Sequence, residues 1–162
     1  MEIFKKYMMI AALFLLGACH TGEYAELNQT ASVTKQDQLQ ENPLRQKVIS
    51  SFINPSANEM STLYGNDLAF RYAVSHSDGN YTKGSVLYLV TWKQQDDPKW
   101  FGGKIPHIIQ SVEIVRFGEN AGSGNSLVYQ LFEGQPLRES KNPADFDSRL
   151  KSIISQPMAQ LP

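Results

Sequence analysis

The chain contains one cysteine, Cys19, in 162 residues. That count restricts the fold more than any other feature. No disulfide can form within the chain, so whatever folds must be held by its own core. If Cys19 is consumed by modification, the rest of the chain has no thiolate for zinc, no thiol nucleophile and no Cys-x-x-Cys-His for covalent haem.

The residues before Cys19 point to that modification. Met1-Glu2-Ile3-Phe4-Lys5-Lys6 is a cationic start, followed by an apolar run from Tyr7 to Leu16. This is the pattern of a signal peptide spanning residues 1–18. The apolar run is about half of the roughly 20 residues a spanning helix needs. Leu16-Gly17-Ala18-Cys19 resembles the lipobox of bacterial lipoproteins. Small residues at 17 and 18 admit the backbone to a protease, and the cysteine thiolate accepts a diacylglycerol. Each buried CH₂ is worth about 0.8 kcal/mol, so two or three acyl chains make a firm membrane anchor. His20 stands where an aspartate would signal inner-membrane retention, which favours the outer membrane of a Gram-negative cell, facing the periplasm.

Residues 19–162 suit a single domain with a real core. Removing Glu2, Lys5 and Lys6 with the signal leaves 13 basic against 15 acidic residues. With no basic surplus to neutralise phosphates, a nucleic-acid partner is disfavoured. Residues 19–42 comprise the acylated cysteine and a polar stretch rich in Gln, Thr and Ser, expected to be a flexible tether. The domain is expected over 43–162.

Within it, Leu44, Val48, Ile49 and Phe52 share one side of an expected short helix, which Asn54-Pro55-Ser56 ends. Met60, Thr62 and Tyr64 alternate as a strand. Residues 67–75 are open: alternation of Leu68, Phe70, Tyr72 and Val74 favours a strand, whereas Asp67 as a cap with Ala69 and Ala73 suits a helix. Ser85–Lys93, His107–Phe117 and Ser126–Glu133 read as strands, with Gly118–Ser126 as a hairpin loop. Asn142 as cap, Pro143 at the first helical position and Asp145 in the first turn open a last helix. Its stripe is Phe146, Leu150, Ile153 and Ile154, and Pro157 stops it. Strands in succession with helices at the ends predict an α+β fold, an antiparallel β-sheet with flanking helices in one compact domain.

Met60–Ala69 (MSTLYGNDLA), Tyr81–Leu87 (YTKGSVL) and Val90–Lys93 (VTWK) together resemble the cytochrome P-460 and cytochrome c′-β family. The resemblance covers roughly residues 45–135. It implies a compact antiparallel sheet with flanking helices, a helix at 67–75, and frequent pairing as a homodimer. Family members attach haem through a C-terminal Cys-x-x-Cys-His, and this chain has no cysteine or histidine after His107. The P-460 branch also cross-links a lysine to haem, expected on the Gly-led strand, and residues 85–92 hold none. No haem-binding residue therefore carries over.

Two places carry candidate chemistry. His107, after Pro106 at a strand start, could ligate metal or non-covalent haem iron. A metal site needs three or four converging ligands, and His20 and His76 lie elsewhere, so an ordinary structural or exposed histidine is favoured. Asp96, Asp97, Trp100 and Phe101 form the most distinctive loop. Two acids beside two aromatics could make a ligand mouth. The favoured alternative has the aromatics covering the open end of the sheet and the aspartates in water. Gly118–Gly124 is a weak phosphate-loop candidate, because it joins strands and does not precede a helix. No catalytic triad stands out.

These residues favour a binding or structural module, a haemless relative of the family, for a small ligand or an envelope protein. The alternatives are a non-covalent haem protein acting on nitrogen oxides or hydroxylamine, and an immunity or inhibitor lipoprotein.

Overall fold

The computed structural model describes residues 28–118, 127–141 and 145–159. The expected signal at 1–18, Cys19 and His20, most of the expected Gly118–Ser126 loop, and Asn142 with Pro143 lie outside the described residues. Six strands, β1 (Lys47–Asn54), β2 (Glu59–Gly65), β3 (Val86–Asp96), β4 (Lys104–Phe117), β5 (Leu127–Glu133) and β6 (Arg138–Glu139), form one sheet in chain order. Every neighbouring pair is antiparallel. Among the described residues two α-helices, α1 (Asp67–Ser75) and α2 (Phe146–Ile154), complete an α+β fold. No described helix is long and apolar enough to cross a membrane.

Strand alternation sends residues to two different cores. Leu63, Leu87, Leu89, Val115 and Phe117 meet Ala69 and Ala73 of α1 and Leu150 and Ile153 of α2. Tyr88, Val90, Trp92, Val112, Ile114 and Phe132 form the other core, joined by Leu137. The central strand β3 is buried from both sides, as its run of β-branched and aromatic residues requires.

The opposite core corrects the tether expectation. Residues 28–42 do not trail away from the domain, because Ala31, Val33 and Leu39 pack against that core. Several polar groups of the segment are bonded to the domain. Asn28 Nδ2 donates to the Pro106 carbonyl at 2.8 Å, and Thr30 Oγ1 to the His107 carbonyl at 2.7 Å. Asp37 Oδ1 accepts from the Leu137 N–H at 2.7 Å, and the Trp92 indole donates to the Ala31 carbonyl at 2.9 Å. Glu41 accepts the Tyr88 hydroxyl at 2.6 Å. Burial, together with that carboxylate, pushes the Tyr88 phenol up to about 12. Residues 28–42 therefore pack onto the sheet upstream of Pro43.

A second correction concerns 44–52. Only Pro43–Arg45 is helical, as a single 3-10 turn, and β1 follows. A bulge between Val48 and Ser50 interrupts the pairing with β2. It lets Ile49 and Phe52, three residues apart, pack into the same core. A bulged strand can thus mimic helical spacing.

Residues 67–75 are a helix. Asn66, not Asp67, caps it, accepting from the Ala69 N–H at 3.0 Å while its amide donates to the Gly84 carbonyl at 2.8 Å. Ala69 and Ala73, one turn apart, are the buried positions, and Leu68 and Val74 face outward. At Gly65 a Cβ would lie 2.6 Å from Ile49 Cδ1 and 2.9 Å from Ala69 Cβ. Gly65→Ala is expected to cost roughly 1–3 kcal/mol through overpacking, read as a lower urea midpoint with unchanged slope. An unchanged midpoint would mean that α1 does not sit this tightly on the sheet.

At the C-terminus, Asp145 lies outside α2 as its N-cap, in the left-handed region at φ 58°, rather than within the first turn. Leu150 and Ile153 are buried, whereas Phe146 is partly exposed and meets the Tyr129 ring edge-on.

Candidate functional site

The helices cover only part of their face of the sheet. Directly opposed residues in antiparallel strands share a face, so the register can be read in rows. Gly65, Leu87, Val115 and Tyr129 form one row, and Leu63, Leu89, Glu113 and Leu131 the next. The following row is Ser61, Thr91, Ser111 and Glu133. The face thus turns from apolar, beneath α1, to polar beyond it. The polar end is a groove of about 520 Å³ whose walls include Phe52, Glu59, Ser140 and α2 residues Arg149 and Ser152.

Glu113 sits at its floor, with a side chain only 2% exposed. Strand alternation next to Val112 and Ile114 forces this carboxylate onto the helix-bearing face. Burying it alone would be costly, and three donors compensate. Arg149 Nε donates to Oε2 at 3.1 Å, Arg149 Nη2 donates to Oε1, and the Tyr129 hydroxyl donates to Oε2 at 2.6 Å. Burial and the carboxylate that takes its hydrogen bond hold the Tyr129 phenol well above the ordinary tyrosine range. The hydrogen bond to Glu113 likewise raises Arg149.

A carboxylate already accepting three hydrogen bonds is a fixed acceptor rather than an available base. Arg149 differs. It has five N–H donors, gives two to Glu113, and its side chain is 44% exposed along the groove. Ser61 and Thr91 satisfy one another at 2.9 Å between hydroxyl oxygens. The groove therefore offers guanidinium donors at one wall and the Glu59 and Glu133 carboxylates at others. A smaller groove of about 340 Å³ lies between residues 29–37, Ile108, Ile109 and the turn joining β5 to β6.

The residues singled out from sequence lie elsewhere. His107 is exposed, and its carbonyl takes the Thr30 hydroxyl. His76 is also exposed and stacks on Tyr72 at 4.4 Å. Among the described residues, no three His, Cys, Asp or Glu side chains gather to hold a metal ion. Asp96 pairs with Lys104 across the β3–β4 hairpin at 2.5 Å. Asp97 Oδ1 accepts from the N–H groups of Lys99, at 2.8 Å, and Trp100, at 3.3 Å. Neither aromatic covers the end of the sheet, since Trp100 is 73% exposed and Phe101 fully so. None of these four residues lines either groove.

Glu113 and Arg149 went unrecognised because nothing in their local spacing relates them. One signal was present. On the helix-bearing face β2 reads Gly65, Leu63, Ser61, Glu59, and β4 reads Phe117, Val115, Glu113, Ser111. Both run from apolar to polar in the same spatial direction. Compared with known families and curated proteins, the chain matches no family model and no curated protein.

Proposed function

We propose that the chain is a lipid-anchored binding module, a haemless relative of the cytochrome P-460 family, which holds a small polar molecule in the groove floored by Glu113. The anchor is Cys19, and the domain faces the periplasm from the outer membrane. Supporting the kinship are the MSTLYGNDLA, YTKGSVL and VTWK runs together with an antiparallel sheet carrying flanking helices. The observation that carries the binding role is the polar groove. It falls within the roughly 300–1,000 Å³ typical of ligand sites, and Arg149 presents donors into it beside the acceptors Glu59 and Glu133. A ligand bearing both acceptors and donors suits that lining.

Haem does not fit there. The described lining residues include no histidine, cysteine or methionine to ligate iron. Glu59, Glu113 and Glu133 give the lining three carboxylates, a poor match to a largely apolar macrocycle.

Haem added to the purified mature protein is therefore expected to give no Soret band that survives desalting. Native mass spectrometry of protein gently purified from its host envelope is expected to show a small-molecule adduct, which Ser111→Trp excludes by filling the groove. A desalting-resistant Soret band abolished by His107→Ala would overturn this reading in favour of a haem enzyme. An adduct retained by Ser111→Trp would place the ligand outside the groove.

A further inference from the structure

We infer that the β3–β4 hairpin tip is a membrane-contact point, at which Trp100 and Phe101 enter the interface of the bilayer that holds the Cys19 lipid. This rests on the proposed acylation of Cys19 and adds a second, non-covalent contact to it.

The tip is built to hold two aromatics outward. The Asp97 N–H donates to the Gly103 carbonyl at 2.9 Å, and the Gly103 N–H to the Trp100 carbonyl at 2.9 Å. The Asp97 side chain caps the Lys99 and Trp100 amides from within the same turn. Gly102 takes the left-handed conformation at φ 77°, and a Cβ on Gly103 would lie 3.1 Å from the Trp100 carbonyl oxygen. A turn fixed this way leaves Trp100 and Phe101 little freedom to fold back onto the domain. Exposing two large aromatics in succession is costly in water. Tryptophan also favours the headgroup level of a bilayer, where its ring is apolar and its N–H is wet.

The N-terminal segment says which surface covers them. Asn28 and Thr30 are bound to the carbonyls of Pro106 and His107 on β4. Those residues lie three or four positions past Gly103, or roughly 10–14 Å along the strand. The chain that carries the lipid therefore joins the domain beside this hairpin. Nine Cα-to-Cα steps separate Cys19 from Asn28, a reach of roughly 30 Å at most. The membrane plane holding the acyl chains is thus within range of the tip. Asp96, Asp97, Lys99 and Lys104 balance in charge around it, so the contact needs no anionic lipid and is expected to resist salt.

The test uses mature protein from its native host, reconstituted into phosphatidylcholine vesicles with or without bromines on the acyl chains near the headgroup. Trp92, the other tryptophan, is 5% exposed and donates its indole N–H to Ala31, so it lies beyond contact quenching. Brominated lipid is expected to quench the wild-type emission severalfold more than that of Trp100→Phe, equally in low and high salt. Equal quenching in the two proteins overturns the inference. So does Trp100 shielded from iodide but not reached by bromine in a sedimenting dimer, which would make the occupant a second copy. Intact mass of the same preparation separates the two readings. If no acyl mass is found, the anchor reading fails alone provided the protein still floats with vesicles and Trp100→Ser with Phe101→Ser abolishes flotation. Without acylation or flotation, both fail.

Discussion

A chain beginning at Pro43 is expected to lose its cooperative thermal transition, or to melt tens of degrees lower, when compared with one beginning at Asn28. Ala31, Val33 and Leu39 are partly buried against Tyr88, Val90 and Trp92. Half-burial of the two larger side chains is worth roughly 1 kcal/mol each. Their removal also opens Trp92 and Tyr88 to water, and aromatic side chains of this kind bury about 150–250 Å² each. At about 25 cal/mol per Å², re-exposing even part of that area brings the loss to roughly 5 kcal/mol or more. A domain of this size has about 5–15 kcal/mol in total. The hydrogen bonds from the Leu137 N–H to Asp37 and from the Trp92 indole to Ala31 go as well, leaving a β6 hairpin and an indole without those partners. Circular dichroism melts of the two truncations decide the matter. Transitions within a degree or two of each other would return residues 28–42 to the status of a tether.

That segment also shows why the sequence was only partly readable. Strands β2 to β5 and the helix at 146–154 announced themselves because period-2 or helical alternation coincides with burial there. Residues 28–42 carry few apolar side chains and many polar ones, a composition shared with disordered linkers. What orders them is long-range. Asp37 reaches Leu137 and Glu41 reaches Tyr88, and neither partner can be inferred from local pattern. The bulge in β1 produced a false helical period, and α1 was ambiguous because its exposed Leu68 and Val74 are apolar while its buried positions are alanines. The aromatic hairpin was visible as a distinctive loop, although Trp100 and Phe101 stand exposed at its tip and do not cover the end of the sheet. The groove was harder to see. Its members come from β1, β2, β3, β4, β5 and α2, and they converge only once the strand register is known.

Arg149→Met is expected to lower stability by about 2–3 kcal/mol. Removing one partner of a fully buried pair costs about 3–5 kcal/mol, because the remaining charge is left without compensation. Glu113 meets that description at 2% exposure, but Arg149 is 44% exposed, so water can reach part of the gap and the lower figure applies. For a domain of this length the loss corresponds to a fall in Tm of roughly 10 °C. The Tyr129 hydroxyl remains to bond Glu113, which limits the damage further. Pairing the change with Glu113→Leu should recover most of the loss, because the cross-strand neighbours Leu89 and Leu131 provide apolar contact. Wild-type stability carries a matching pH signature. Tyr129 is raised from 10.0 in the fold, so its contribution is whole below pH 10 and is lost as pH rises through the elevated value. The double variant, lacking the carboxylate that helps raise Tyr129, should lose less stability in that alkaline window. A double variant that melts like the wild type yet no longer retains the envelope adduct would separate the two roles of the network, leaving the fold dependent on packing and the ligand dependent on charge. An Arg149→Met protein as stable as the wild type would show that Glu113 is not confined as its burial indicates, and the floor of the groove would have to be redrawn.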